Sequence, residues 1–170
     1  MNRILKHVLL VSGIFLFGLL RTQAQDEKLK AIFVYNFTRY LAWPEKQGDF
    51  VIAVLGKTPI YSELSDIASK KQVGTTNIEV RSVGSAQDIT DCHILYVTSA
   101  KTDMIADIQP AARNKKFLII SENEGACSKG SGINFINKAG KLSFEISKNN
   151  ISACGLTLSS ALLQLGTEAK

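Results

Sequence analysis

Histidine, proline and tryptophan are scarce in this chain of 170 residues, which has two, three and one of them. Of the histidines only His93 lies beyond residue 24, so a hydrolytic triad or a histidine-rich metal centre has one imidazole to draw on. No Cys-x-x-Cys pair accompanies it, and the three cysteines, Cys92, Cys127 and Cys154, are widely spaced, so the sequence calls for no zinc and no other cofactor. The Gly-x-Ser-x-Gly elbow of serine hydrolases is absent, and Ser159-Ser160 falls inside a helical pattern. Gly56-Lys57-Thr58-Pro59 lacks the earlier glycine of a Walker loop, and its proline blocks a cradle of amides. Asp66, Asp88, Asp91, Asp103 and Asp107 are scattered over helix and turn positions without paired-carboxylate spacing. An unrecognised hydrolase would have to rely on His93 or Ser160. His93 opens an apolar strand, the place of a structural histidine.

Long hydrophobic runs are also missing beyond the first residues. Arg3 and Lys6, the apolar stretch Val8 to Leu20 and the small-residue site Thr22-Gln23-Ala24 form the pattern of a cleaved export signal over residues 1–24. That stretch is shorter than the roughly 18 to 20 residues that cross a bilayer. Residues 25–170 are then expected to form a single domain with one core. The formal charge of +5 shrinks with the leader: Arg3, Lys6 and Arg21 leave and no acid does, so seventeen basic residues face fifteen acidic ones. The remaining lysines occur as isolated pairs, Lys70-Lys71 and Lys115-Lys116, which argues against nucleic acid as a partner.

What is present is an alternation of strand and helix patterns. Leu29, Ile32, Phe33, Phe37, Tyr40 and Leu41 recur at helical steps and predict an aromatic-faced helix that Pro44 ends. Phe50 to Leu55 is a continuous apolar run, the signature of a strand buried on both faces, and implies a parallel sheet. A helix over Ile60 to Lys70, a strand over Ile78 to Val83, a turn at Asp88 to Asp91, a strand over His93 to Thr98, a helix over Thr102 to Arg113 and a strand over Phe117 to Ser121 follow. This rhythm gives an open α/β sheet with right-handed crossovers. Gly130 to Asn137 and Lys141 to Ile146 read as a β-hairpin, and Ser152 to Leu165 as one closing helix.

Two stretches offer binding chemistry. The hairpin brings Ile133 and Phe135 close to glycines, and Glu145 interrupts an apolar stretch before Ile151, which suits a partner-binding patch with a polar group to fix orientation. The alternative is that Ile133 and Phe135 point inward as hairpin core. Open α/β sheets also bind small molecules outside the carboxyl ends of their strands, where Gly56 to Pro59 and Ser99 to Lys101 would line a crevice.

Six segments occur in order: Lys30 to Pro44 (KAIFVYNFTRYLAWP), Val51 to Gly56 (VIAVLG), Cys92 to Ser99 (CHILYVTS), Gly130 to Phe135 (GSGINF), Phe144 to Ser147 (FEIS) and Gly155 to Leu165 (GLTLSSALLQL). Together they resemble the YfiR family along nearly the whole chain after residue 24. The resemblance implies a periplasmic, Rossmann-like three-layer α/β sandwich that dimerises. It further implies a non-catalytic repressor of an inner-membrane signalling protein, typically a diguanylate cyclase of cyclic di-GMP signalling, released when an outer-membrane peptidoglycan-associated lipoprotein sequesters it. On that basis Glu145 of the FEI motif and Ile133 of the hairpin strand are expected at the partner interface. Phe135, Ile151 and, from periodicity, Leu158 join them. The resemblance would also bridge Cys92 to the position of Ala53 and Cys127 to that of Asn134, so here each pair has lost a partner. Cys92 and Cys127 belong at opposite ends of a parallel sheet, beyond the roughly 7 Å between Cα atoms that a disulfide tolerates. A Cys127–Cys154 bridge or three free thiols remain. The competing functional reading is a small-ligand sensor that partners a sensor histidine kinase.

Overall fold

The computed structural model describes residues 25–169; the export-signal pattern of residues 1–24 lies outside them. Helix α1 covers residues 25–37. After it come β1 (Leu41–Ala42), β2 (Phe50–Leu55), α2 (Ile60–Ala68), β3 (Gln72–Val73), β4 (Thr76–Val83) and β5 (Ile94–Val97). Helix α3 (Ile105–Lys115), β6 (Leu118–Ser121), α4 (Ala126–Lys129), β7 (Ile133–Lys138) and β8 (Lys141–Ile146) continue the chain. It closes with α5 (Lys148–Ala153), β9 (Thr157–Leu158), α6 (Ser160–Leu165) and β10 (Thr167–Glu168).

The main sheet has eight strands in the order β10-β8-β7-β6-β5-β2-β4-β3. Strands β4, β2, β5, β6 and β7 run parallel, so their carboxyl ends lie along one side, while β8 turns back antiparallel to β7. This is a mixed, mostly parallel α/β sandwich of Rossmann-like type. Every residue of β2, β5 and β6 is buried, which is why their sequences read as unbroken apolar runs rather than alternations. The chain leaves β2 toward β4 on one side and later returns through β5 on the other, so the order reverses between β2 and β5.

Three expected elements differ. Helix α1 ends at residue 37, well before Pro44, and the chain then pairs as β1 with β9. Its buried face is Glu27, Ala31, Val34 and Phe37, while Leu29 and Ile32 are exposed. The small Ala31 and Val34 let the helix approach the sheet, and the rings of Phe33 and Phe37 reach Phe144 at 5.5 and 5.0 Å between centroids. The single closing helix is instead two short helices. Gly155, at φ +71, takes the left-handed conformation that stops α5, and Ser159 accepts a hydrogen bond from the Leu162 N–H to start α6. The helix expected from Thr102 begins with a 3-10 segment, Ser99–Met104, and contains Pro110 inside α3. No helix among the described residues is long and apolar enough to cross a membrane.

Candidate functional site

The loops after β2 and β5 meet at the carboxyl edge of the sheet. There Lys57, Thr58, Pro59, Thr98, Ser99 and Ala100 line a cavity of about 360 Å³ together with Glu27 and Lys30 of α1 and Glu122 after β6. The crevice expected of Gly56 to Pro59 and Ser99 to Lys101 therefore forms at the point where strand order reverses, where open α/β sheets take their ligands. Gly56 sits at φ +100, and a Cβ added there would collide with Thr98 Oγ1, so no side chain fits at this position.

Lys30 is the centre of the site. Its Nζ lies 2.6 Å from Glu122 Oε2 and 2.9 Å from Glu27 Oε1, joining α1 to the end of β6 across 92 residues of sequence. Burial pulls the ammonium pKa down, but the hydrogen bonds and charges of Glu122 and Glu27 together outweigh it and hold the group above its ordinary value. Glu122 is held further by the Tyr96 hydroxyl, which donates to Oε2 at 2.8 Å, and by the Ser99 N–H, which donates to Oε1 at 3.0 Å. Burial, with the Glu122 charge beside it, raises the Tyr96 phenol above its ordinary range and keeps it a donor.

A second cavity of about 460 Å³ also has Lys30 and Glu122 in its lining, together with Asp26, Glu124, Phe135 and Glu145. The position of Glu145 is set from inside the fold. Ser121, Asn134 and Glu145 are register neighbours across β6, β7 and β8. Ser131 and Ser121 hydrogen-bond at 2.8 Å, Ser121 and Asn134 Oδ1 at 2.9 Å, and Asn134 Nδ2 donates to Glu145 Oε2 at 3.3 Å. Ser121, Ser131 and Asn134 are fully buried, so a satisfied polar chain runs through the core and ends on the half-buried Glu145 at the cavity wall.

Of the residues expected at a partner interface, the fold gathers Phe135 and Glu145 on this one cavity. Ile133, Phe135 and Ile151 are core residues, because Ile133 and Phe135 point inward from the hairpin and Ile151 packs from α5. They act by packing rather than by surface contact. Leu158 lies apart in β9, half-buried, opposite Leu41 of β1. Lys30, Glu27, Glu122 and Asp26 had no sequence signal beyond one: Glu122 directly follows a predicted buried strand, at the edge where such sheets bind ligands.

The chemically reactive side chains are built into the packing. His93 is buried, its Nδ1 accepts the Val51 N–H at 3.0 Å, and its ring stacks on Phe50 at 4.3 Å between centroids. Burial first, then repulsion from Lys46, pushes the imidazole down to about 4. Cys92, Cys127 and Cys154 are buried free thiols, and burial pushes the first two up to about 12. Among the described residues no cluster of three His, Cys, Asp or Glu side chains is placed to hold a metal ion.

The sheet order and its crevice place this chain among the Rossmann-like α/β domains. A model of the YfiR/HmsC-like family matches residues 27–167, from α1 into β10, and the chain belongs to that family. The family is one of periplasmic regulators of signalling, regulatory rather than catalytic. No curated protein matches the chain.

Proposed function

We propose that this protein is exported to the periplasm with loss of residues 1–24, that residues 25–170 fold as one domain, and that it acts without catalysis. In this reading it binds the outward-facing part of a membrane signalling protein, typically a diguanylate cyclase, and represses it. Family membership over residues 27–167 carries the reading. The use of His93 and all three cysteines as packing groups supports it, since these would be the reactive side chains of an enzyme. Glu145 and Leu158 are the contact residues, because each keeps part of its side chain at the surface while the other three expected residues shape the fold behind them. Release by a peptidoglycan-associated lipoprotein and action as a homodimer belong to the same proposal.

Repression works by population shift. A repressor that binds the inactive arrangement of its target about 3 kcal/mol more tightly biases the equilibrium by roughly a hundredfold. Deleting the gene should raise cyclic di-GMP, and crosslinking from membranes should capture one integral membrane protein. Unchanged cyclic di-GMP together with unchanged histidine phosphorylation in the membrane fraction would remove the repressor reading. A second reading, a small-ligand sensor acting through a sensor histidine kinase, is favoured by the convergence of the β2 and β5 loops on one cavity. A thermal-shift screen separates the two, because a ligand that binds only the folded state stabilises it saturably.

A further inference from the structure

We propose that a third cavity, at the opposite, amino edge of the sheet, binds an aromatic carboxylate. This site stands apart from the repressor and crevice readings above. The cavity, of about 590 Å³, is lined by residues 43–48, by Val73 and Thr76 of the β3–β4 hairpin, and by Phe50 and His93 where β2 and β5 begin. It shares no residue with the two cavities at the carboxyl edge, and its size suits a small ligand. Phe50 and His93, with ring centroids 4.3 Å apart, stack to form one wall. Trp43, half-buried, stands at 86° to Phe50 and 75° to His93 and forms a second wall. A flat ring set in such a corner lies against one wall and turns its edge to the other, the two arrangements that aromatic pairs favour.

The first wall also holds a donor with nothing to donate to. His93 is only 6 % exposed, and its Nδ1 accepts the Val51 N–H, so the proton of the neutral ring sits on Nε2. Nε2 makes no hydrogen bond to any described residue and is not sealed from solvent, and this side chain lines the cavity. An acceptor on a ligand satisfies a group that the fold leaves open. The favoured acceptor is an anion, because the Lys46 ammonium acts on the imidazole more strongly than Asp91 does. Glu45, the one acid in the lining, is exposed, so solvent screens it. The site is formed in advance. Trp43 Nε1–H donates to the Thr38 carbonyl at 2.9 Å, and the Lys46 ammonium is tied to Asp91 Oδ1 at 2.6 Å and to the carbonyls of Cys92 and Lys115 at 2.7 and 2.9 Å. Residues 43–48 therefore have little freedom left to lose on binding.

The test is a fluorescence titration of the purified protein, since Trp43 is the only tryptophan in the chain. Phenylacetate is the probe, beside benzyl alcohol, benzylamine and cyclohexylacetate as neutral, cationic and non-aromatic controls. A saturable change in Trp43 emission is expected with phenylacetate, with binding about tenfold weaker for each control. In NMR spectra the His93 Nε2–H resonance should move in step with the emission. Val73→Glu puts a carboxylate into the lining and should weaken binding about tenfold or more, whereas Val73→Gln, of the same shape without the charge, should hold it to within about threefold. Both variants should keep the circular dichroism of the parent protein. Absence of a saturable change in emission overturns the proposal, as does binding that Val73→Glu leaves intact or that benzyl alcohol matches. Calorimetric binding that leaves Trp43 emission and the His93 resonance unmoved also overturns it, and is the result that a ligand in the β2–β5 crevice would give.

Discussion

Acidification should unload the stability that a neutral His93 contributes, and the size of the effect follows from its surroundings. The imidazole is buried, stacked on Phe50, and accepts the Val51 N–H, a bond that only its unprotonated Nδ1 can make. Its pKa of about 4 in the folded protein lies below the 6.5 of a free histidine. Between those values the unfolded chain binds a proton that the folded chain refuses, so stability is fully present above pH 6.5 and declines as pH falls toward 4. Below about 4 both states are protonated and the loss is complete. The separation of the two values corresponds to about 3 kcal/mol. Urea unfolding of the protein and of His93→Asn at steps from pH 7.5 to about pH 3.5 isolates this contribution. Asn can still accept the Val51 N–H but does not titrate, and the carboxylates common to both proteins cancel in the difference. The stability advantage of the parent protein over His93→Asn should shrink by about 3 kcal/mol across this range. A gap that stays constant, or a His93 resonance that titrates near 6.5, would refute the account of its burial.

Three further outcomes follow from the same packing. Lys30→Met removes the ammonium that holds Glu27 to Glu122 and should destabilise the fold by about 2–4 kcal/mol in urea; adding Glu27→Gln and Glu122→Gln should recover part of the loss, and a neutral single variant would rule out the hub. Gly132→Ala places a methyl 2.6 Å from Leu118 Cδ1 and 2.9 Å from Ile151 Cγ1, both buried, and should cost about 1–3 kcal/mol by the same assay. The three thiols should resist a disulfide reagent at pH 8 until the chain is unfolded, because burial both covers them and raises their pKa values; rapid labelling of the folded protein would contradict that.

The parallel core was legible because a strand covered on both faces must be apolar throughout. Phe50 to Leu55 was bounded correctly for that reason, and the neighbouring strands at Ile94 and Leu118 were found to within a residue. The hairpin was legible from its glycine turn, and it sends Ile133 and Phe135 into the core rather than to a partner. The aromatic stripe was legible at Phe33, Phe37, Tyr40 and Leu41, which are buried or pack on the core, whereas close approach of α1 to the sheet also buries the small Ala31 and Val34 and leaves Leu29 and Ile32 exposed. The closing leucines suggested one helix, whereas Gly155 in its left-handed conformation and the pairing of Leu158 with Leu41 break it.

The sequence by itself therefore determined the order of the core strands and of the hairpin, since each records in its own few residues how much of it is covered. It also carried the family's motifs and the poverty of reactive groups. Only the tertiary structure decided the cleft. Lys30 and Glu122 are separated by 92 residues and look like ordinary surface charges until the parallel sheet carries β6 beneath α1. Glu145 becomes a positioned carboxylate only because three strands bring Ser121 and Asn134 into register behind it. Local pattern reports burial, whereas a charged site is made by the meeting of distant residues, and that meeting is set by the topology of the sheet.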